Sequence, residues 1–202
     1  MKRQIEEVSA GSSKSRKINI TKLSKAALTG QVKEVEALIE QGDDVNEAGE
    51  NGWTVLHYAV SKGHMEVCKL LLPKMSPEAI KAVTKNSGSA VLHVAAGRGY
   101  LEICELLLSN TDKLFSITTK NDQTAFFPAA INGHMEVCKM LWKTYIFYED
   151  NESCHQKAHN EVITAIWQNN YEACKLITDA YPLLFSNIPI FIGLAGFCLQ
   201  NL

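Results

Sequence analysis

A seven-residue sequence, GHMEVCK, occurs twice in this chain, at 63–69 and at 133–139. The two copies are alternate members of a series, because residues 53–72 align with 89–108 at an offset of 36, and 89–108 align with 123–142 at an offset of 34. Self-similarity at a period of about 20–50 residues is the signature of a protein built from stacked repeats. The 202 residues therefore predict a linear array rather than a domain with one central core.

The same alignment extends the array in both directions, to 159–178 at an offset of 36 and, more loosely, back to 20–39 at an offset of 33. Before the array, residues 1–18 are polar and predict a disordered tail. After it, residues 188–202 match no unit well and predict either a C-terminal cap or a truncated further repeat. We predict five units, near 20–50, 51–86, 87–120, 121–157 and 158–187.

Each unit is predicted to form two short helices. In the second unit Thr54 is a favourable N-cap, and apolar residues follow it at the spacing of one helical face. Gly63 then ends the first helix, and the apolar spacing resumes over 64–72. Helices of this length are marginal in water on their own. Neighbouring units must therefore bury the apolar faces, which predicts an all-α solenoid.

The segment TVLHYAVSKGHMEVCKLLL, read as T-x-L-H-x-A-x-x-x-G-H-x-E-V-x-K-L-L-L, resembles the ankyrin repeat. The resemblance covers roughly residues 19–187, and several units match in register. It implies an ankyrin-repeat solenoid of stacked helix-turn-helix units with hairpin fingers between them. It also implies that His57 and His93 bond to the backbone within and between units, and that His64 and His134 have structural roles.

The chain departs from this pattern at several places. Ala90 replaces Thr in unit three, and FFP at 126–128 replaces Leu-His-x in unit four. Between units two and three, the segment SPEAIKAV at 76–83 replaces the hairpin. Ser76 suits an N-cap and Pro77 suits the first position of a helix. We therefore predict that some fingers are shortened or helical.

The six cysteines raise the question of a metal or redox site. Four of them share one repeat position, which predicts small buried core residues: Cys68, Cys104, Cys138 and Cys174. Stacked helices lie about 10 Å apart, and a disulfide needs Cα atoms within about 7 Å. Cys154, His155 and His159 offer ligands at close spacing, but no fourth ligand accompanies them. We therefore predict no metal.

Composition and motifs exclude several functional classes. No phosphate-binding loop, nucleophile elbow or zinc-protease motif is present, so we predict no catalysis and no cofactor. The net charge of -2 offers no general attraction to nucleic acid. The longest apolar stretch, 188–199, is shorter than the roughly 18 residues of a membrane-spanning helix, and the first 20 residues lack a secretory signal. We expect a cytoplasmic monomer.

With no catalytic or metal site predicted, the surface of the array is the candidate functional region. The resemblance implies that a partner protein binds the fingers and the exposed side of the first helices, on the concave face of the solenoid. Repeat register assigns the partner-binding residues as Glu50, Asn51, Trp53, Ser61, Lys62, Asn86, Ser89, Arg98, Asn121, Gln123, Ile131, Asn132, Trp167 and Gln168. The alternative is the targeting portion of an enzyme, or of a secreted bacterial effector that acts on host proteins in the host cytosol. In that case the active region would lie outside this chain.

Overall fold

The computed structural model describes residues 20–111 and 113–148, with side chains described up to residue 144. The predicted tail, the fifth unit and the segment 188–202 lie outside the described residues. So do Trp167, Gln168 and the group formed by Cys154, His155 and His159, together with Cys174.

The described part of the chain is helical, with four helix pairs that each fall within one predicted unit. The first helices of the pairs are α1, α3, α6 and α8, and the second helices are α2, α4, α7 and α9. The α-helices, including the short α5 outside the pairs, are α1 Lys22–Thr29, α2 Val32–Glu40, α3 Val55–Ser61, α4 Met65–Leu71, α5 Pro77–Ile80, α6 Val91–Gly97, α7 Leu101–Asn110, α8 Phe126–Ile131 and α9 Met135–Tyr148. First helices pack on first helices and second helices on second helices, so the array has two layers. The prediction of an all-α solenoid is confirmed.

The glycine that ends each first helix, Gly63 in GHMEVCK and Gly99 at the same position of unit three, has two functions. Gly63 and Gly99 end their first helices with φ of +74° and +75°, the left-handed conformation that side chains with a Cβ rarely adopt. A Cβ at Gly63 would lie 2.9 Å from the Tyr100 ring, and a Cβ at Gly99 would lie 2.5 Å from Nδ1 of His134. The His134 ring also hydrogen-bonds the Gly97 carbonyl at 3.2 Å through Nε2. The motif therefore combines a tight turn with a contact between units.

The repeated cysteines lie in the core, as predicted. Cys68 and Cys104 are 0% exposed and Cys138 is 1% exposed. Burial disfavours the thiolate and raises the pKa of each of the three thiols to about 12. These thiols are therefore protonated and unreactive at neutral pH, as expected of small core residues.

The segment 76–83 confirms one prediction and corrects another. Ser76 Oγ accepts a hydrogen bond from the Ala79 amide at 3.2 Å, and Pro77 begins α5, so the predicted helical turn is present. The prediction that this turn replaces the hairpin is wrong. The chain still forms the finger, with an antiparallel bridge between Val83 and Ala90. The longer period of this unit accommodates the helical turn ahead of the hairpin.

Candidate partner-binding surface

Three hairpin fingers form one edge of the described array: residues 48–54, 83–90 and 119–123. Backbone hydrogen bonds join each finger to the next. The Lys85 amide donates to the Asn51 carbonyl at 2.9 Å, and the Lys120 amide donates to the Ser87 carbonyl at 2.9 Å. Because each finger is bonded to its neighbour, the fingers present a continuous edge rather than separate loops.

Glycine at the fingertips allows this close stacking. Gly52 and Gly88 have φ of +80° and +73°. A Cβ at Gly52 would lie 2.8 Å from the Val83 carbonyl oxygen, and a Cβ at Gly88 would lie 2.9 Å from the Lys120 amide nitrogen. In the third finger the matching position is Asp122, which also has a positive φ, 56°, but carries a side chain.

The exposed side of the first helices is continuous with the fingers, and we call the two together the finger–helix surface. Repeat register places Val94 and Pro128 at one outward position, where unit two has the buried Tyr58, and Lys62, Arg98 and Asn132 at another. Lys62, Arg98 and Asn132 are exposed, while Val94 and Pro128 are half-buried. Asn132 also bridges two units, because its Nδ2 donates to the carbonyls of Gly97 at 3.1 Å and Pro128 at 2.8 Å.

Trp53 lies where the first finger meets α3. Its ring centroid is 5.1 Å from that of Tyr58 and 5.8 Å from that of His57. Asn51 Oδ1 accepts a hydrogen bond from the Trp53 amide at 3.0 Å, which fixes the turn. The indole is half-buried. Trp53 therefore both packs against its own unit and presents part of its ring to solvent.

Two buried histidines, His57 and His93, lie beneath the finger–helix surface and form hydrogen bonds with its backbone. His93 Nδ1 accepts a hydrogen bond from the Ala90 amide at 3.2 Å. An N–H can only donate, so Nδ1 is unprotonated and Nε2 carries the proton that bonds the Gln123 carbonyl at 3.1 Å. The imidazole thus caps the start of α6 and reaches the third finger. This confirms that His93 bonds the backbone within its own unit and across to the next.

His57 repeats this arrangement one unit earlier. Its Nδ1 accepts from the Thr54 amide at 3.3 Å and lies 2.9 Å from Thr54 Oγ1. Its Nε2 forms no hydrogen bond of ordinary geometry with the described residues. The Ser89 carbonyl interacts with the ring and favours its protonated form. Burial lowers the pKa of His57 to about 4, against the opposing effect of the Ser89 carbonyl. The ring is therefore neutral at physiological pH.

Most of the predicted surface residues in the described part of the chain are accessible. The exposed ones are Glu50, Lys62, Asn86, Arg98, Asn121 and Asn132, and the half-buried ones are Asn51, Trp53, Ser89, Gln123 and Ile131. Ser61 is the exception and is corrected. It is 7% exposed, and its hydroxyl donates to the Tyr58 carbonyl at 2.8 Å. A short side chain that bonds back to its own helix presents little to a partner.

Sequence reasoning missed several residues of the finger–helix surface. Lys85 and Lys120 occupy the fingertip position of Glu50, and Val83 is a large apolar residue that is 44% exposed. The two lysines could have been found by aligning the hairpins as well as the helices. Val83 could not, because the helical turn before it was predicted to replace the hairpin.

Comparison with known proteins decides the family. A family model described as "Ankyrin repeats (3 copies)" matches residues 23–115 and, overlapping, 92–182. The chain belongs to the ankyrin repeat family. Ankyrin repeats are generic protein–protein interaction modules, and proteins built from them are usually not enzymes.

Three relatives resemble parts of the chain. Mouse ankyrin repeat domain-containing protein 40 is 46% identical over 52 residues, which is 25% of this chain and 14% of the relative. Human ankyrin repeat domain-containing protein 39 is 43% identical over 47 residues, 23% of this chain and 26% of the relative. Mouse protein phosphatase 1 regulatory subunit 27 is 36% identical over 50 residues, 25% of this chain and 32% of the relative. The chain thus spans less than a third of each of these relatives.

Neither a metal-binding cluster nor a membrane-spanning helix is found within residues 20–111 and 113–148. No cluster of three or more His, Cys, Asp or Glu side chains in this part of the ankyrin array could hold a metal ion. No helix there is both long and apolar enough to cross a bilayer.

Proposed function

We propose that this ankyrin array is an interaction module that binds a partner protein through the finger–helix surface and has no catalysis of its own. The observation that carries the proposal is a contrast between buried and exposed repeat positions. The cysteine position is Cys in all three units from the second to the fourth, and every copy is buried. The exposed position at the end of the first helix is Thr29, Lys62, Arg98 and Asn132 in successive units. The buried cysteine position repeats, whereas the exposed position at the end of the first helix varies.

The dimensions of the surface suit a protein partner. A standard interface covers about 800 Å² on each side, and stacked helices lie about 10 Å apart. A partner of ordinary size would therefore span three or more units. Trp and Arg are the residue types that most often anchor interfaces, and Trp53 and Arg98 lie in adjacent units on this surface.

A regulatory role for another protein is consistent with this function. One relative carries the name of a regulatory subunit of protein phosphatase 1. A module of this kind acts by placing its partner, so its surface has to be rigid. The bonded fingers and the buried His93 supply that rigidity.

The test is a pair of double variants. A partner is first identified by affinity capture from lysate and mass spectrometry, and its binding is then titrated with purified proteins. We expect Trp53→Ala with Arg98→Ala to weaken binding by more than ~2 kcal/mol. The control, Lys69→Ala with Glu105→Ala, changes exposed residues of the second helices and should have little effect.

Stability must be followed in parallel, because Trp53→Ala also removes ring contacts with His57 and Tyr58. Circular dichroism and melting identify a temperature at which every variant is folded, and binding is compared there. If the control pair abolishes binding and the first pair does not, the partner binds the second helices and the proposal is wrong.

A further inference from the structure

Charge is distributed unevenly between the two helical layers. The first helices α1, α3, α6 and α8 contain no Asp or Glu, and four cations lie within them or at their C-caps: Lys22, Lys25, Lys62 and Arg98. The second helices carry seven glutamates against four lysines; the glutamates are Glu34, Glu36, Glu40, Glu66, Glu102, Glu105 and Glu136, and the lysines are Lys33, Lys69, Lys139 and Lys143. At the fingertips, Lys85 and Lys120 are accompanied by Glu50 and Asp122. The net charge of the whole chain is near zero, but the part of the finger–helix surface formed by the first helices is basic.

Lys62 and Arg98, the C-cap cations of this surface, form no ion pair within the described part of the chain. Two ion pairs occur among residues 20–111 and 113–144, Glu66 with Lys69 at 2.8 Å and Glu136 with Lys139 at 2.7 Å, and both lie on second helices. Lys62 and Arg98 are exposed and have no carboxylate within 4 Å in this part of the chain. Surface cations that are unpaired within their own chain remain free to pair with a partner.

From this distribution we propose that the finger–helix surface recognises an acidic segment of its partner, in which Asp or Glu carboxylates lie along the row formed by Lys62 and Arg98. The inference rests on the proposed function and names the chemistry of the partner. The guanidinium of Arg98 can bind a carboxylate with two parallel hydrogen bonds, and Lys62 supplies a point charge one unit away.

Spacing makes the proposal specific. Lys62 and Arg98 are equivalent residues of stacked helices, so their backbones lie about 10 Å apart. A segment in the polyproline II conformation advances about 3.1 Å per residue and has three residues per turn. Carboxylates three residues apart on such a segment therefore lie on the same face, about 9 Å apart, and reach successive units. The half-buried side chains of Val94 on α6 and Ile131 on α8 offer apolar contacts beside the charged row.

The experiment selects peptides before any partner has been identified. The whole chain is used to select from a displayed library of random peptides of about 12 residues, which span roughly 40 Å when extended. We expect the enriched peptides to be acidic, with carboxylates three residues apart. Synthetic copies should bind Lys62→Gln with Arg98→Gln about tenfold or more weakly than the unaltered protein. Their affinity should also fall as salt rises from about 50 to 300 mM.

The matched control is Lys69→Gln with Lys139→Gln, which removes the same charge from the second helices and should leave affinity unchanged. Enriched peptides that are neutral or basic, yet depend on Trp53, would overturn the acidic segment while leaving the proposed function in place. A library that yields no peptide would count against both. Binding of duplex DNA that is lost in Lys62→Gln with Arg98→Gln, or self-association through the glutamate-rich second helices, would assign the cations another ligand and overturn the inference.

Discussion

Units three and four share a fold but differ at two positions through which unit three is joined to unit four. In unit three, His93 caps its own helix and bonds the next finger through Gln123, and Gly88 lets that finger pass close by. In unit four the equivalent positions are Phe127, which is 9% exposed and offers no side-chain hydrogen bond, and Asp122, which has a Cβ where the two earlier fingers have glycine.

The difference separates two contributions to stability in a repeat array: hydrophobic packing, and hydrogen bonds between units. The packed positions are retained in unit four, since Cys138 and Leu141 are as buried as Cys104 and Leu107. What changes is the histidine and the fingertip glycine, which are replaced by Phe127 and Asp122. An array can therefore keep its hydrophobic core in a unit that lacks the histidine by which unit three bonds the next finger. Stability in such arrays is a sum of unit and interface contributions, so these links should have a measurable effect on each junction.

The largest effect is expected when unit three is made to resemble unit four. His93→Phe removes two hydrogen bonds, leaves the Ala90 amide and the Gln123 carbonyl without the imidazole, and places a larger ring in a buried position. We expect the free energy of unfolding, measured by urea denaturation, to fall by about 4 kcal/mol. His93→Gln keeps a donor and an acceptor and should lose less than half as much. A loss below about 1 kcal/mol for His93→Phe would show that these links are unimportant.

Acid should destabilise units two and three through their histidines, whereas unit four has no histidine at this position. The pKa of His57 is about 4 in the folded protein and 6.5 in the unfolded chain. The unfolded state therefore binds more protons between these values, and stability falls as pH decreases from 6.5 to about 4. The full effect is roughly 3 kcal/mol at 1.36 kcal/mol per pKa unit. Burial also lowers the pKa of His93.

The measurement compares unfolding free energies of the unaltered protein and His57→Gln across this pH range. Carboxylates titrate in both proteins, so the difference between the two curves isolates the imidazole. Parallel curves would contradict the assignment of His57 as a buried neutral ring.

Substitutions at the cysteine position test whether the hydrophobic core contributes equally to the stability of units three and four. Cys104→Ala and Cys138→Ala should each reduce stability by about 1 kcal/mol, because both thiols are at most 1% exposed. Serine at either position should cost somewhat more, since it buries a hydroxyl. Reducing agent should leave the melting temperature unchanged. A disulfide among Cys68, Cys104 and Cys138, detected by non-reducing peptide mapping, would refute this assignment.

The smallest expected change strengthens unit three. Ala90→Thr supplies the hydroxyl that Thr54 places 2.9 Å from the imidazole of unit two. We expect a gain of about 0.5–1 kcal/mol, the usual range for an N-cap. Ala90→Val adds similar volume without a hydroxyl and serves as the control. Equal stability of the two variants would mean that the hydroxyl is irrelevant and only packing matters.

The repeat sequence predicted most of the helices and little about the contacts between fingers. Helix positions follow from apolar spacing and caps, which act between residues close in sequence. The finger at 83–90 was predicted to be lost, because the local signals of Ser76 and Pro77 describe a helical turn. The hairpin survives because its backbone is bonded on one side to Asn51 and on the other to Lys120, and these partners lie more than 30 residues away along the chain.

By itself, the sequence determined the period of the array, its helical character and the burial of the cysteine position, because each of these depends on the spacing of residues along one chain segment. Only the tertiary structure decided that the Tyr100 ring packs against Gly63, that His93 carries its proton on Nε2, and that Ser61 is buried. These features arise where the backbone of one unit meets the side chains of another, or where a side chain bonds back to its own helix. Repeat spacing carries no information about distances of that kind.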